Sequence, residues 1–117
     1  MIQIYTTPSC ASCRKAKKWF DQYKIPYSEK NIFSIKLSKE DIFRMLANSE
    51  NGFDDIISTR SKVFKEKKLD PDNMSVQELI EFIIDYPSVL KRPIIINENE
   101  LQVGYNNEDI TIFLPKE

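Results

Sequence analysis

The chain has 117 residues, 17 basic against 18 acidic for a net charge of −1, and no histidine. That length suits one domain with one real core, and a hydrophobic fraction of 41% argues against disorder. The near-neutral balance excludes a wholesale polycation but not a local basic face, and the lack of histidine excludes any Ser-His-Asp or Cys-His arrangement and any His-ligated metal site.

Ile2 to Tyr5 reads as a strand, broken by the polar cluster Thr6-Thr7-Pro8-Ser9. A helix follows from about Ala11 to Tyr23, with Ala16, Phe20 and Tyr23 on one face and Trp19 in the core. Pro26 blocks its continuation, and Tyr27 to Asn31 reads as a second strand. Strand, helix and strand within about thirty residues make a βαβ unit, normally with parallel strands. Ser38 and Asp41 resemble a capping box, with Leu37 and Ile42 placed as its hydrophobic staple. Ile42, Met45 and Leu46 form the apolar stripe of a helix expected to stop at Asn51-Gly52, where glycine permits a left-handed turn. A short basic helical stretch is expected between Ser58 and Lys68, then a loop at Asp70-Pro71-Asp72-Asn73. Ser75 and Glu78 make a full capping box for a helix whose core face is Val76, Leu79, Ile80 and Ile83, ending before Pro87.

Ile94-Ile95-Ile96 is uniformly apolar and β-branched, as expected of a central strand covered on both faces. Asn97 to Glu100 reads as a turn and Leu101 to Val103 as a returning strand, punctuated by Gly104. Asn106 with Asp109 caps a last helix with Ile110, Phe113 and Leu114 inward, ended by Pro115. The order β-α-β, inserted helices, β-β-α predicts an α/β, thioredoxin-like domain spanning the chain. Its core covers about residues 1–33 and 88–115, and a helical insertion covers about 34–87. No linker, repeat or low-complexity tract interrupts it.

Cys10 and Cys13 are the two cysteines of the chain, too few and too close to staple a small secreted fold. The first residues lack the basic and apolar regions of a signal peptide, and the most apolar stretch, Pro93 to Ile96, is four residues. A cytoplasmic domain without a membrane span is expected. The pair itself follows the first strand and opens the first helix. There the helix dipole and the neighbouring Arg14 and Lys15 favour a thiolate, the form that reacts with oxidants and disulfides. Two inert cysteines, or half of a zinc site shared between chains, are the competing readings; the position at a βαβ helix start favours redox chemistry.

Two further cationic features carry alternatives. Arg60, Lys62, Lys65, Lys67 and Lys68 make a basic stretch that reads first as a solvated helix face and second as a contact to DNA phosphates. Lys91-Arg92-Pro93 precedes the apolar strand where thioredoxin-like folds carry a cis proline, Pro93 here. Arg92 is then expected to point toward Cys10, able to bind an oxyanion or steady a thiolate, with Arg14 beside it; a surface arginine is the plainer alternative.

Cys10-Ala11-Ser12-Cys13-Arg14-Lys15-Ala16 resembles the Spx family. So do Asn31-Ile32-Phe33-Ser34, Gly52, Ile56-Ile57-Ser58-Thr59-Arg60-Ser61-Lys62, Arg92-Pro93-Ile94-Ile95-Ile96 and Leu101-Gln102-Val103-Gly104-Tyr105-Asn106. The similarity runs from Met1 to about Pro115, and Spx lies within the wider ArsC-like, arsenate reductase-related family. The resemblance implies a monomeric transcriptional regulator of thiol and oxidative stress, needing no cofactor and no metal. It implies binding to the C-terminal domain of the RNA polymerase α subunit, with promoter DNA engaged only within the polymerase complex. Oxidation of Cys10 and Cys13 to a disulfide is the implied switch. Gly52 is implied at the polymerase α interface, Arg60 and Lys62 near DNA, and Arg92 as responsive to the redox state. Turnover by the ClpXP protease with an adaptor is also implied. The family continues past the segment matching Pro115 into a tail read by that protease, whereas this chain stops at Glu117, and Thr111-Ile112 stand where the family tends to have arginines. The rival is an arsenate reductase-like or small thiol-disulfide oxidoreductase with Cys10 as nucleophile. Against it, arsenate reductases carry an arginine where this chain has Tyr105, and one cysteine in this loop rather than two.

Overall fold

Ile2–Thr6 (β1) is rich in β-branched and aromatic side chains, and Ile4, Tyr5 and Thr6 are buried, which suits a strand inside a covered sheet. The structure, a computed structural model, describes residues 1–115. Helix α1 is Ala11–Gln22, strand β2 is Tyr27–Asn31, β3 is Ile94–Ile96 and β4 is Leu101–Val103. They form one sheet in the order β2-β1-β3-β4. β1 pairs in parallel with β2, Ile4 opposite Glu29, and antiparallel with β3, Ile4 opposite Ile95. β4 returns antiparallel to β3, Ile95 opposite Gln102. This is the mixed sheet of an α/β, thioredoxin-like domain.

The chain divides into two compact units: Met1–Asn31 with the segment from Arg92 onward, and Ile32–Lys91. In the first unit α1 buries Ala16, Trp19 and Phe20 against Ile4, Ile95, Ile110 and Phe113. Trp19 and Phe20 meet edge to face at 5.0 Å, and Phe20 meets Phe113 at 5.8 Å. The expected third member of that face, Tyr23, is instead 49% exposed. It caps the helix C-terminus with its ring on Trp19 at 4.8 Å, because the chain turns away at Lys24, whose φ of 54° is left-handed. The last element is also corrected. Asp109–Phe113 is a 3-10 helix rather than an α-helix, consistent with its β-branched Ile110-Thr111-Ile112 run. Asn106 Oδ1 still caps it, accepting from the N–H groups of Glu108 and Asp109 at 2.8 and 3.1 Å.

In the second unit, Lys39–Ala47 (α2) begins at the Ser38 capping box, with Ile42 and Met45 buried. It ends before the expected Asn51-Gly52. Asn48 Nδ2 and Ser49 Oγ donate to the carbonyls of Arg44 and Leu46 at 2.9 and 2.7 Å and so satisfy the helix end early. Gly52 then starts a short helix, Phe53–Ile56 (α3), that the sequence pattern did not announce. Lys62–Glu66 (α4) lies within the expected basic stretch. The loop at 70–73 contains one 3-10 turn, Pro71–Asn73. Val76–Asp85 (α5) starts at the Ser75 capping box and buries Leu79, Ile80 and Ile83. Val76, expected inward, is 54% exposed, because the first residue of the helix precedes the turn that reaches the core. Helix α5 packs on α2, and the 3-10 turn Pro87–Val89 packs on α4 and α5.

Candidate functional site

The cysteines sit where β1 hands over to α1. Ser9, with φ of 64°, turns the chain so that Cys10 becomes the N-cap of α1. Cys10 Sγ accepts from the Cys13 N–H at 3.1 Å, and the Arg14 N–H donates to the Cys10 carbonyl at 3.2 Å. The two cysteines are joined as a disulfide with Cα atoms 5.2 Å apart. Cys13 is buried and Cys10 half-buried, so an incoming reagent meets Cys10 first. No acidic residue stands in the first turn of α1, which leaves the positive end of the helix unscreened by its own side chains.

The disulfide opens onto a shallow recess of about 220 Å³ lined also by Thr6, Thr7, Pro8, Ser9, Arg14, Lys17, Glu29 and Asn31. Sequence reasoning missed three of these. Thr6 Oγ1 donates to Glu29 Oε2 at 2.8 Å, and Lys17 Nζ donates to the same oxygen at 3.0 Å. The Thr6 hydrogen bond, then the Lys17 bond and charge, hold the Glu29 carboxyl below its ordinary range despite its partial burial. Lys17 was legible as the residue one turn beyond Cys13. Glu29 was not, since only the parallel pairing of β2 with β1 brings it beside Thr6.

Arg14 lines this recess; Arg92 is not among its lining residues. Arg92 stands half-buried just before β3, where the Arg92–Pro93 peptide is cis, and burial lowers its guanidinium from the ordinary value. Gly52, Arg60 and Lys62 belong to the second unit. Gly52 has φ 63° and ψ −130°, a backbone shape that side-chain-bearing residues rarely adopt, with no atom within 4 Å of where a Cβ would stand. The loop around it hangs on Asp55, whose carboxylate accepts from the N–H groups of Glu50 and Asn51, both at 2.9 Å, and from Asn51 Nδ2 at 3.2 Å. Those bonds, Asn51's backbone N–H first, lower the Asp55 pKa.

Arg60 is exposed in the turn that leads into α4. That turn is fixed by Ser61 Oγ, which donates to the Ser58 carbonyl at 2.8 Å and caps the Phe64 N–H at 3.3 Å, and by the Ser58 N–H donating to Val89 at 2.7 Å. Lys62 is exposed with a loose partner, Glu66, at 3.6 Å, so both cations remain available to an anionic surface. Among the described residues no group of three or more His, Cys, Asp or Glu could hold a metal ion, and no helix is long and apolar enough to cross a membrane.

The ArsC family model matches residues 5–113. The global transcriptional regulator Spx 1 of Bacillus cereus is 51% identical over 116 residues, which cover 99% of this chain and 88% of the relative. The global transcriptional regulator Spx of Bacillus subtilis is 49% identical over the same share of each. Among solved structures, the arsenate reductase from Vibrio cholerae superposes with a TM-score of 0.82 over 97% of both chains at 20% identity, a likeness of fold alone.

Proposed function

The chain belongs to the ArsC family and, within it, to the Spx group of global transcriptional regulators, and from that premise we propose that it is a redox sensor for RNA polymerase. In this reading it binds the C-terminal domain of the polymerase α subunit through the surface around Gly52. Arg60 and Lys62 then meet promoter DNA once the complex is assembled. The Cys10–Cys13 disulfide turns on genes of thiol and oxidative stress. The protein works as a monomer in the cytoplasm, is cleared by ClpXP with an adaptor, and is not an enzyme.

The observation that carries the reading is the disulfide at the unscreened N-terminus of α1, with Cys10 half-buried and Cys13 buried. A loop closed between residues three apart constrains little chain, so its effect is local, on the first turn of α1 and its surroundings. A net charge of −1 makes the free chain a poor DNA binder, which fits cations that act only after docking. The resolving position of Cys13 also argues against arsenate turnover: a second thiol three residues on captures Cys10 as a disulfide before an external thiol reaches it.

The test is a pull-down of the reduced and the diamide-oxidised chain with isolated α C-terminal domain, followed by transcription from a thioredoxin-type promoter. Binding with oxidation-dependent transcription, lost in Cys10→Ala, supports the reading. No binding in either state, together with arsenate turnover, would replace it by the reductase alternative.

A further inference from the structure

Lys17 lies one helical turn beyond Cys13, so both side chains leave the same face of α1. Across the recess, Glu29 on β2 takes up the Lys17 ammonium at 3.0 Å, while the buried Thr6 hydroxyl holds the same carboxylate oxygen at 2.8 Å. All three line the recess into which the disulfide opens. A half-exposed ion pair of this kind adds little stability, and nothing in the polymerase reading uses it.

We propose that Glu29 is a positioning residue for the redox couple: by engaging Lys17 it withholds an ammonium charge from the cysteine sulfurs and keeps the disulfide harder to reduce. The inference rests on Cys10 and Cys13 being a redox switch. Reduction by a thiol breaks the Cys10–Cys13 bond and leaves two cysteine thiols, while two reductant thiols lose two electrons and two protons to become a disulfide. A thiolate formed in that step is stabilised by any free cation nearby, and the reduced state with it. The charged groups that line the recess with the pair are Arg14 and Lys17 from α1 and Glu29 from β2, with the positive end of α1 itself. Every one of these except Glu29 favours the thiolate. Thr6 and Lys17 keep Glu29 ionised well below the range in which thiols titrate, so its opposition is constant there.

The experiment compares the full chain with Glu29→Gln, Lys17→Met and the double variant. It reads the pH profile of iodoacetamide alkylation of the reduced pair and the reduced fraction in a fixed glutathione buffer. Glu29→Gln is expected to lower the thiol pKa by about half a pH unit, the effect of one charge across about 6 Å of water-like surroundings, and to raise the reduced fraction. Lys17→Met is expected to shift both readouts the opposite way, and the double variant to return close to the parent. Single variants that move the pKa in the same direction, or not at all, overturn the proposal. A pair that never exchanges with glutathione in any variant overturns the redox reading with it. Because no polymerase is present, failure of the polymerase reading leaves these outcomes intact. If Glu29→Gln does not fold, Glu29→Met, which likewise removes the charge, is read by the same two signals and the same signs.

Discussion

Gly52 separates two explanations that a single charged substitution confounds. Its φ of 63° with ψ of −130° lies outside the comfortable range of any residue with a Cβ, yet open space surrounds the position where that Cβ would stand. The cost of Gly52→Ala is therefore backbone strain alone, about 1–3 kcal/mol, offset by about 0.4–1 kcal/mol because alanine also narrows the unfolded ensemble. The net destabilisation is about 1–2 kcal/mol, or a fall in Tm of roughly 3–10 °C for a chain of this size. Gly52→Arg carries the same strain and meets no added clash, so its Tm is expected to match that of Gly52→Ala. Binding to the polymerase α C-terminal domain, measured well below both transitions, is expected to survive Gly52→Ala and to be lost in Gly52→Arg, where a long cation intrudes on the contact. An unchanged Tm in Gly52→Ala would refute the strain argument. Equal loss of binding in both variants would show that loop conformation, not the approach of the partner, sets the interaction.

The loop that presents Gly52 should also respond to acid. Asp55 has a folded pKa held below its unfolded value by hydrogen bonds from Asn51 and Glu50. Its contribution to stability is therefore present above about pH 4 and is lost as pH falls through the lowered folded value. Asp55→Ala should lower Tm at pH 7 and narrow the gap between Tm at pH 7 and pH 3; an unchanged gap would mean that the carboxylate is not what holds the loop. Replacing Arg60 and Lys62 by Glu should leave Tm within about 2–3 °C, since Lys62 holds only a loose exposed partner. The same double variant should weaken promoter-bound complexes more than binary binding to the α domain and flatten the salt dependence of the former; equal loss in both assays would assign these cations to protein contact.

Much of this was legible from the sequence because its determinants act over three or four residues. Ser38 with Asp41 and Ser75 with Glu78 set two helix starts, each partner reaching the other's backbone within one turn. The Ile94–Ile96 run announced a strand buried on both faces. The spacing of Cys10 and Cys13 at a strand-to-helix turn favoured a redox pair over inert cysteines or half of a zinc site, and announced its helix-end setting. Other features depend on what packs against a segment. Val76 and Tyr23 fit their helical stripes, but one stands before the first turn to reach the core and the other after the chain has turned away. α2 ends early because Asn48 and Ser49 take its last carbonyls, and α3 forms because Asp55 ties its loop together. The βαβ pattern anticipates the parallel β1–β2 pair, but the rest of the strand order belongs to the tertiary structure: the placing of β3 on the other side of β1 is a long-range choice made by burial. The β1–β2 pairing brings Glu29 beside Thr6 and across from Lys17, so the chain alone determined that two cysteines would stand at a helix start, while the sheet register decided which carboxylate would face them.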